Sequence, residues 1–542
     1  MTADADSRRY PTALLFILFF LTLFVLHIPL LLLPYFWDEA GYYVPAARDL
    51  LLSGSLIPYS TPSNAHPPLV LAYLALVWKM VGYSPLVTRT AMLGIAAFAL
   101  LGIFRLAQRV ANIEVAIASV TCTAVYPVFF AQSSLALLDM AAAGFTFWGL
   151  LAYVEDRPWP MALWFSLGVS SKETAILAPL ALFGWEVVCA KLVLGGAALK
   201  RSEGRPADFP RALAPAGAAS DSARRRRTFL ALLAPLLPLC LWYAYHWYRT
   251  GFVFGNPEFL RYNVQATLHP MRILLALGLR LWQLFVYMGM YMLTLAAAAA
   301  LCLPPLANGG RERPRIAVQV QLSFLAVILA YVVALAVIGG AVLARYMLPV
   351  VPLLIIVFVS TLRRRVPYWR AVVGIVVLGF VISLFVNPGY GFSLEDNLAY
   401  RDYVLLHEQA ETFVEARYPM ARVLTAWPAD DEIRRPYLGY VSRPMRVLLI
   451  EDFTVEELSS AAKLRPEFDI ALVFSTKYRP PHPWLEGWRR WQQWKQEYFG
   501  YHRDLPPEAV ARMLGGQLVY AHSRDGQWIG IVAWPDEITP RR

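Results

Sequence analysis

The sequence predicts a polytopic α-helical membrane protein with a C-terminal α/β domain. Three observations carry that prediction. Apolar runs long enough to cross a bilayer recur through the first 386 residues. The loops between them gather basic side chains. From about residue 390 the texture changes to short strand-like and helical segments. A chain that is 58% hydrophobic and only 16% charged does not have the balance of an ordinary water-soluble protein.

The first run, Ala13 to Leu33, holds about 20 residues without a charge, enough for a hydrocarbon core of roughly 30 Å. No small-residue cleavage site follows it and further runs come later, so it reads as a span and not as a signal peptide. Spans are expected at 12–34, 87–108, 113–131, 135–154, 159–171, 174–196, 228–249, 272–303, 317–338, 343–361 and 370–386, about eleven in all. The stretch 67–82 is decided by charge. If it spanned, each later basic cluster would face outward. If it lies along the membrane, Arg105/Arg109, the 200–227 loop, Arg311 to Arg315 and Arg363-Arg364-Arg365 all fall inside. The N-terminus is then cytoplasmic, and segments 35–86, 251–271 and everything beyond Asn387 lie outside. Segment 197–227, rich in Ala, Pro, Ser and Arg without periodicity, reads as a flexible cytoplasmic loop, and no internal repeat of the transporter kind is visible.

The formal charge of +11 raises the question of nucleic acid. From Asn387 onward 19 Lys/Arg face 22 Asp/Glu, against 30 and 16 before it, so the surplus belongs to the membrane half and follows the positive-inside pattern. Nucleic acid is not an expected partner. The four cysteines lie in or beside apolar runs and imply neither a disulfide framework nor a Cys-based zinc site.

Beyond residue 387 a helical stretch, 397–417, precedes the strand-like RVLTAW (422–427), MRVLLI (445–450) and FDIALVFS (468–475), and the chain closes on a hairpin pattern, QLVYAHSRDGQWIGIVAW. The boundaries are thus 1–386 for the membrane domain, with its first outer loop at 35–86, and 387–542 for a domain of roughly 150 residues, large enough for its own core.

Chemistry is expected at the outer edge. Asp38 and Glu39 follow the first span. A carboxylate in a partly dehydrated pocket there has a pKa suited to taking a proton from a hydroxyl or amine nucleophile, although an interfacial acidic pair can also simply end one helix and cap the next. Asp139, alone in an apolar run, is costly unless paired. Lys172 and Arg345 sit at the ends of apolar runs, where a cation either snorkels to the interface or opposes an anion.

The stretches WDEAGYYVPAARDLLLSGSL and HPPLVLAYLALVWKMVG, followed in order by SLALLDMAAAGFTFW, LGVSSKETAILAP and ARYMLPVVPLL, resemble the polyprenyl-phosphate-sugar-dependent glycosyltransferases of the GT-C fold. That superfamily includes the protein O-mannosyltransferases and the lipid A aminoarabinose transferase. The resemblance implies a GT-C membrane domain with an extracytoplasmic C-terminal domain, and a hexosyl- or pentosyltransferase that is inverting. Its donor would be a polyprenyl-phosphate sugar, and its acceptor a glycan, lipid or protein. Asp38 would be the catalytic base and Glu39 its support. Tyr42, His66, Asp139, Lys172, Arg345 and Tyr346 would lie near the lipid phosphate, with Lys172 and Arg345 as the cations that oppose it. A phosphate leaving group gains charge as the sugar bond breaks, so fixed cations facing it favour the transition state. The expected location is the bacterial inner membrane, with a periplasmic C-terminal domain.

The aminoarabinose branch carries an arginine two residues after the DE, and an acidic residue and a lysine before the PP. Here Gly41, Ala65 and His66 stand at those positions, which puts direct transfer of its phosphate and metal site in doubt. Metal use stays open, with His66 and His269 as the histidines that could contribute. The competing class is a transporter or flippase for a lipid-linked substrate, whose acidic residues would couple ions. Its site is expected near the bilayer midplane, whereas these residues cluster at the outer edge.

Overall fold

The computed structural model describes residues 11–203, 218–257, 261, 265–308, 311–480 and 487–534. Six helices in it are long and apolar enough to cross a membrane: Thr12–Leu30, Pro85–Val110, Glu173–Lys191, Ala223–Thr250, Pro270–Leu301 and Val318–Val337. Shorter apolar helices accompany them, at Leu69–Val81, Ile113–Val125, Asp139–Val154 and Trp369–Phe385. The protein is a multi-pass membrane protein.

Where a span departs from its apolar run, a specific break accounts for it. The 113–131 run divides at Tyr126, in extended backbone, because Pro127 opens the next short helix, Pro127–Gln132. The 272–303 run kinks between Phe285 and Met290, where Met288 and Gly289 both take positive φ (49° and 83°). The 343–361 run is a short 3₁₀ turn, Ala344–Met347, and only then a helix, Val351–Arg365. Leu69–Val81 has 13 residues, about 20 Å at 1.5 Å per residue. Within 197–227 the helix Leu177–Glu203 runs on and another starts at Ala218, so the loop expected there is narrower. The rest of that expectation, 204–217, lies outside the described residues.

The membrane helices pack through small residues. Ala99 on Pro85–Val110 meets Gly144 on Asp139–Val154, and a Cβ at Gly149 would fall 2.5 Å from the Phe165 ring. Caps fix the helix starts: Ser84 accepts from Val87 N with Pro85 in the first turn, and Asn112 accepts from Val115 N. The basic loops are drawn together at one end, where Glu114 pairs with Arg363 (2.6 Å) and Arg370 (2.5 Å), and Arg364 Nε donates to Arg313 O. The helix Val351–Arg365 separates this end from Arg345 by about 20 Å of rise.

The C-terminal part builds a five-stranded mixed sheet in the order Arg446–Ile450, Arg422–Ala426, Ile470–Phe474, Gln527–Ala533, Gln517–Arg524. The first three strands are parallel and the last two antiparallel. Central Ile470–Phe474 is buried along its whole length, as an apolar run in the middle of a covered sheet must be. The closing hairpin turns on Asp525-Gly526, both with positive φ, the conformation its two-residue turn demands. The sheet does not stand apart from the membrane domain. Its buried apolar residues form one continuous cluster with Tyr35, Phe36, Val44 and Trp78 of segment 35–86. Hydrogen bonds from Tyr440 Oη to Tyr35 O, Tyr83 Oη to Tyr437 O and Arg435 to Ser60 O stitch the two together.

Candidate active site

A cavity of about 510 Å³ opens where segment 35–86, the Ala344–Met347 turn and the C-terminal domain meet. Its floor is an unusual piece of backbone. Trp37 takes a left-handed φ of 45°, and Glu39–Tyr43 forms a single π-helical turn before the helix Val44–Ser53. Non-glycine residues in left-handed backbone and π-turns each cost free energy and concentrate at functional sites. Together they bring Asp38, Tyr42 and Tyr43 to the cavity wall. Gly41 is needed here for a different reason: a Cβ would lie 2.6 Å from the Trp427 indole, which reaches in from the C-terminal domain.

Arg345 organises the charge. Its guanidinium donates to Asp38 Oδ2 and, at 2.5 Å, to Glu395 Oε2, while Nε lies 3.5 Å from Asp139 Oδ2. Asp139 occupies the first turn of its helix, where the helix dipole favours a carboxylate. Lys172 caps the C-terminal end of Pro158–Ser171, where it favours a cation. The two meet at 2.7 Å, and Lys172 Nζ stands 4.0 Å from the centre of the Tyr346 ring. Asp38, Asp139 and Glu395 against Arg345 and Lys172 leave one carboxylate in formal excess. Asp38 is the most open of the five, with its side chain 20% exposed, and among the described residues no protein group hydrogen-bonds its Oδ1.

His66, Tyr42, Arg345 and Tyr346 line the cavity. His66 Nδ1 is 2.8 Å from Glu173 Oε2, joining the HPP and SKE stretches. Lys172 sits behind the wall and not on it, already neutralised by Asp139. Glu39 does not line the cavity either. Fully buried, it accepts from Phe36 N (2.8 Å) and Ala136 N (2.6 Å), and Arg89 lies 3.4 Å from both its oxygens. His269 lies against Tyr498 at 5.1 Å between ring centres and is not part of the cavity wall. It shares no cluster of metal-ligating atoms with His66 among the described residues.

Among the lining groups that went unread in the sequence are Glu395, Trp427 and Lys477. Glu395 and Asp396 form a 3₁₀ turn with Leu394 ahead of the helix Ala399–Arg417. Burial pushes both carboxyl groups up, with Arg345 pulling Glu395 the other way. Asp396, which accepts from Tyr287 Oη at 2.6 Å, reaches about 7. Lys477, its amine held below the ordinary value by burial, bonds His502 Nε2 at 2.9 Å. The acidic pair in SLEDN and the lysine just past a buried strand, STKY, are the signals that could have found them.

No protein-family model and no curated protein matches the chain. Solved structures do. The crystal structure of ArnT from Cupriavidus metallidurans in the apo state superposes with a TM-score of 0.50 at 14% identity, over 96% of this chain and 97% of that one. The same protein bound to undecaprenyl phosphate gives 0.50 at 13%, over 98% and 99%. The chain has the GT-C fold. That likeness extends across the membrane helices and the C-terminal domain alike.

Proposed function

We propose that this protein is a membrane glycosyltransferase that moves a sugar from a polyprenyl-phosphate donor to an acceptor on the extracytoplasmic side. The observation that carries the reading is Asp38: a carboxylate with one oxygen held by Arg345 and the other without a partner among the described residues, at the edge of a cavity between apolar helices and a polar domain. A base in that position serves an acceptor arriving from water and a donor arriving from the bilayer. The neighbour crystallised with undecaprenyl phosphate supports a lipid phosphate as the donor's carrier.

Chemically, Asp38 takes the acceptor's hydroxyl or amine proton as the new bond forms at the anomeric carbon. The bond from that carbon to the phosphate oxygen breaks with its electron pair, so a single displacement inverts the configuration. Arg345 couples the two events. Protonation removes one of its counter-charges as the leaving phosphate gains its own, so the guanidinium can follow the developing charge. Glu39 and Arg89 are positioning residues that hold the loop carrying Asp38. Tyr42, His66 and Tyr346 line the donor's path, and Lys172 with Asp139 anchors Arg345 from behind.

The test is transfer from a panel of radiolabelled polyprenyl-phosphate sugars in membranes carrying wild type or Asp38→Asn. Label leaving the lipid fraction only with wild type supports the reading and names the sugar. Labelled lipid that crosses the bilayer unchanged, whatever stands at position 38, favours the transporter instead.

A further inference from the structure

Away from the cavity, the C-terminal domain buries a second charged cluster. His407 and Glu411 lie one turn apart on the helix Ala399–Arg417, and Glu432 comes from Ala429–Arg434. Helical residues four apart share a face, so the first two point to the same neighbour. His407 Nδ1 is 2.6 Å from Glu432 Oε2 and 3.4 Å from Glu411 Oε1, and one ligating atom from each of the three residues falls within 4.8 Å of the others. All three side chains are at most 2% exposed. The Tyr403 and Phe474 rings close over the imidazole at 3.9 and 4.6 Å.

The cluster is under-satisfied. Both oxygens of Glu411, Oε1 of Glu432, His407 Nε2 and the neighbouring Tyr403 hydroxyl have no hydrogen-bond partner among the described residues. Among the described residues no arginine or lysine lies within ion-pair reach of either glutamate. Two carboxyl groups sealed from water against each other need a proton or a cation between them.

We propose that His407, Glu411 and Glu432 hold a divalent cation, with Zn²⁺ the ion that a nitrogen and carboxylate set of this size suits best. Sealed on all sides, the ion would be structural. It would clamp the helix that follows the membrane domain to the short helix directly after Trp427-Pro428, and so fix Trp427 against Gly41 in the cavity wall. These side chains bind a metal only in their deprotonated forms, so loading weakens in acid. The site is independent of His66 and of the transferase reading.

The experiment is metal analysis of the full-length protein, purified in detergent without chelator and without a metal-affinity step. The expected result is about one equivalent of zinc per chain in wild type and in His66→Ala, and about tenfold less in monodisperse His407→Ala/Glu411→Gln. If that variant does not fold, X-ray absorption at the zinc edge of wild type decides: an all N/O shell with one imidazole supports the site, and sulfur or several imidazoles overturns it. Wild type that carries no metal, and whose melting temperature moves with neither added Zn²⁺ nor chelator, also overturns the proposal, with protons holding the cluster instead.

Discussion

Asp38 and Glu39 are neighbours in sequence and opposites in environment. Asp38 keeps one oxygen unclaimed and a fifth of its side chain open to the cavity. Glu39 is sealed, and its partner Arg89 also donates to the carbonyls of Leu33, Pro34 and Ser134. The left-handed turn at Trp37 and the π-turn after it send consecutive side chains to different places. A buried pair of this kind contributes little net stability compared with an apolar replacement, yet removing one partner is costly. It is therefore suited to holding a loop in one conformation while its neighbour reacts.

The sharpest way to break this contrast is at Asp38. Asp38→Asn should lower the transfer rate by about 10²- to 10⁴-fold, the usual worth of a positioned base, with unchanged yield and elution on size exclusion. Arg89→Ala should do the reverse. It leaves the buried Glu39 without its cation, costs about 3–5 kcal/mol, and shows in the detergent melting curve, while the protein that stays folded loses less transfer than Asp38→Asn. Glu39→Gln, which keeps an acceptor for only one of the Phe36 and Ala136 amides and turns its NH2 toward the other, should still fall between wild type and Arg89→Ala in melting.

A smaller effect is expected where the two domains touch. Gly41→Leu forces the Trp427 indole outward, and transfer should drop roughly tenfold through misplacement of the wall, with KM moving more than melting temperature.

The mildest test is pH. Asp396 binds its proton up to about pH 7 when folded, against an ordinary value of 3.8. The folded state then holds more protons than the unfolded one across that window, so its stability is present in full below about pH 4 and is lost as pH rises through about 7. Melting of wild type should fall between pH 5 and pH 8 more steeply than that of Asp396→Asn.

Much of this architecture was legible in the sequence. Hydropathy marks apolar runs well because burial and lipid both demand them, but it is blind to breaks, which is why the kink at Met288 and the 3₁₀ turn before Val351 were read as continuous spans. The strands around 422–427, 445–450 and 468–475 were legible from their β-branched and apolar runs, and the hairpin from Asp525-Gly526. In the site, Asp38, His66 and Arg345 came from motif order. The split between Asp38 and Glu39 did not, because it depends on a single residue with positive φ. Glu395, Trp427 and Lys477 were hidden because only the docking of a domain more than 350 residues away in sequence brings them to Asp38. A lone lysine in the sequence reveals its charge but not its partner, and so the pairing of Lys172 with Asp139 was hidden as well.

The central claim is that Asp38 reacts and Glu39 only holds it. The measurement that tests it most directly is single-turnover transfer from a labelled polyprenyl-phosphate sugar, run on matched amounts of folded wild type, Asp38→Asn and Glu39→Gln. Transfer abolished in Asp38→Asn and within about threefold of wild type in Glu39→Gln is the predicted result. Equal loss in both, or transfer surviving in Asp38→Asn, would contradict the account.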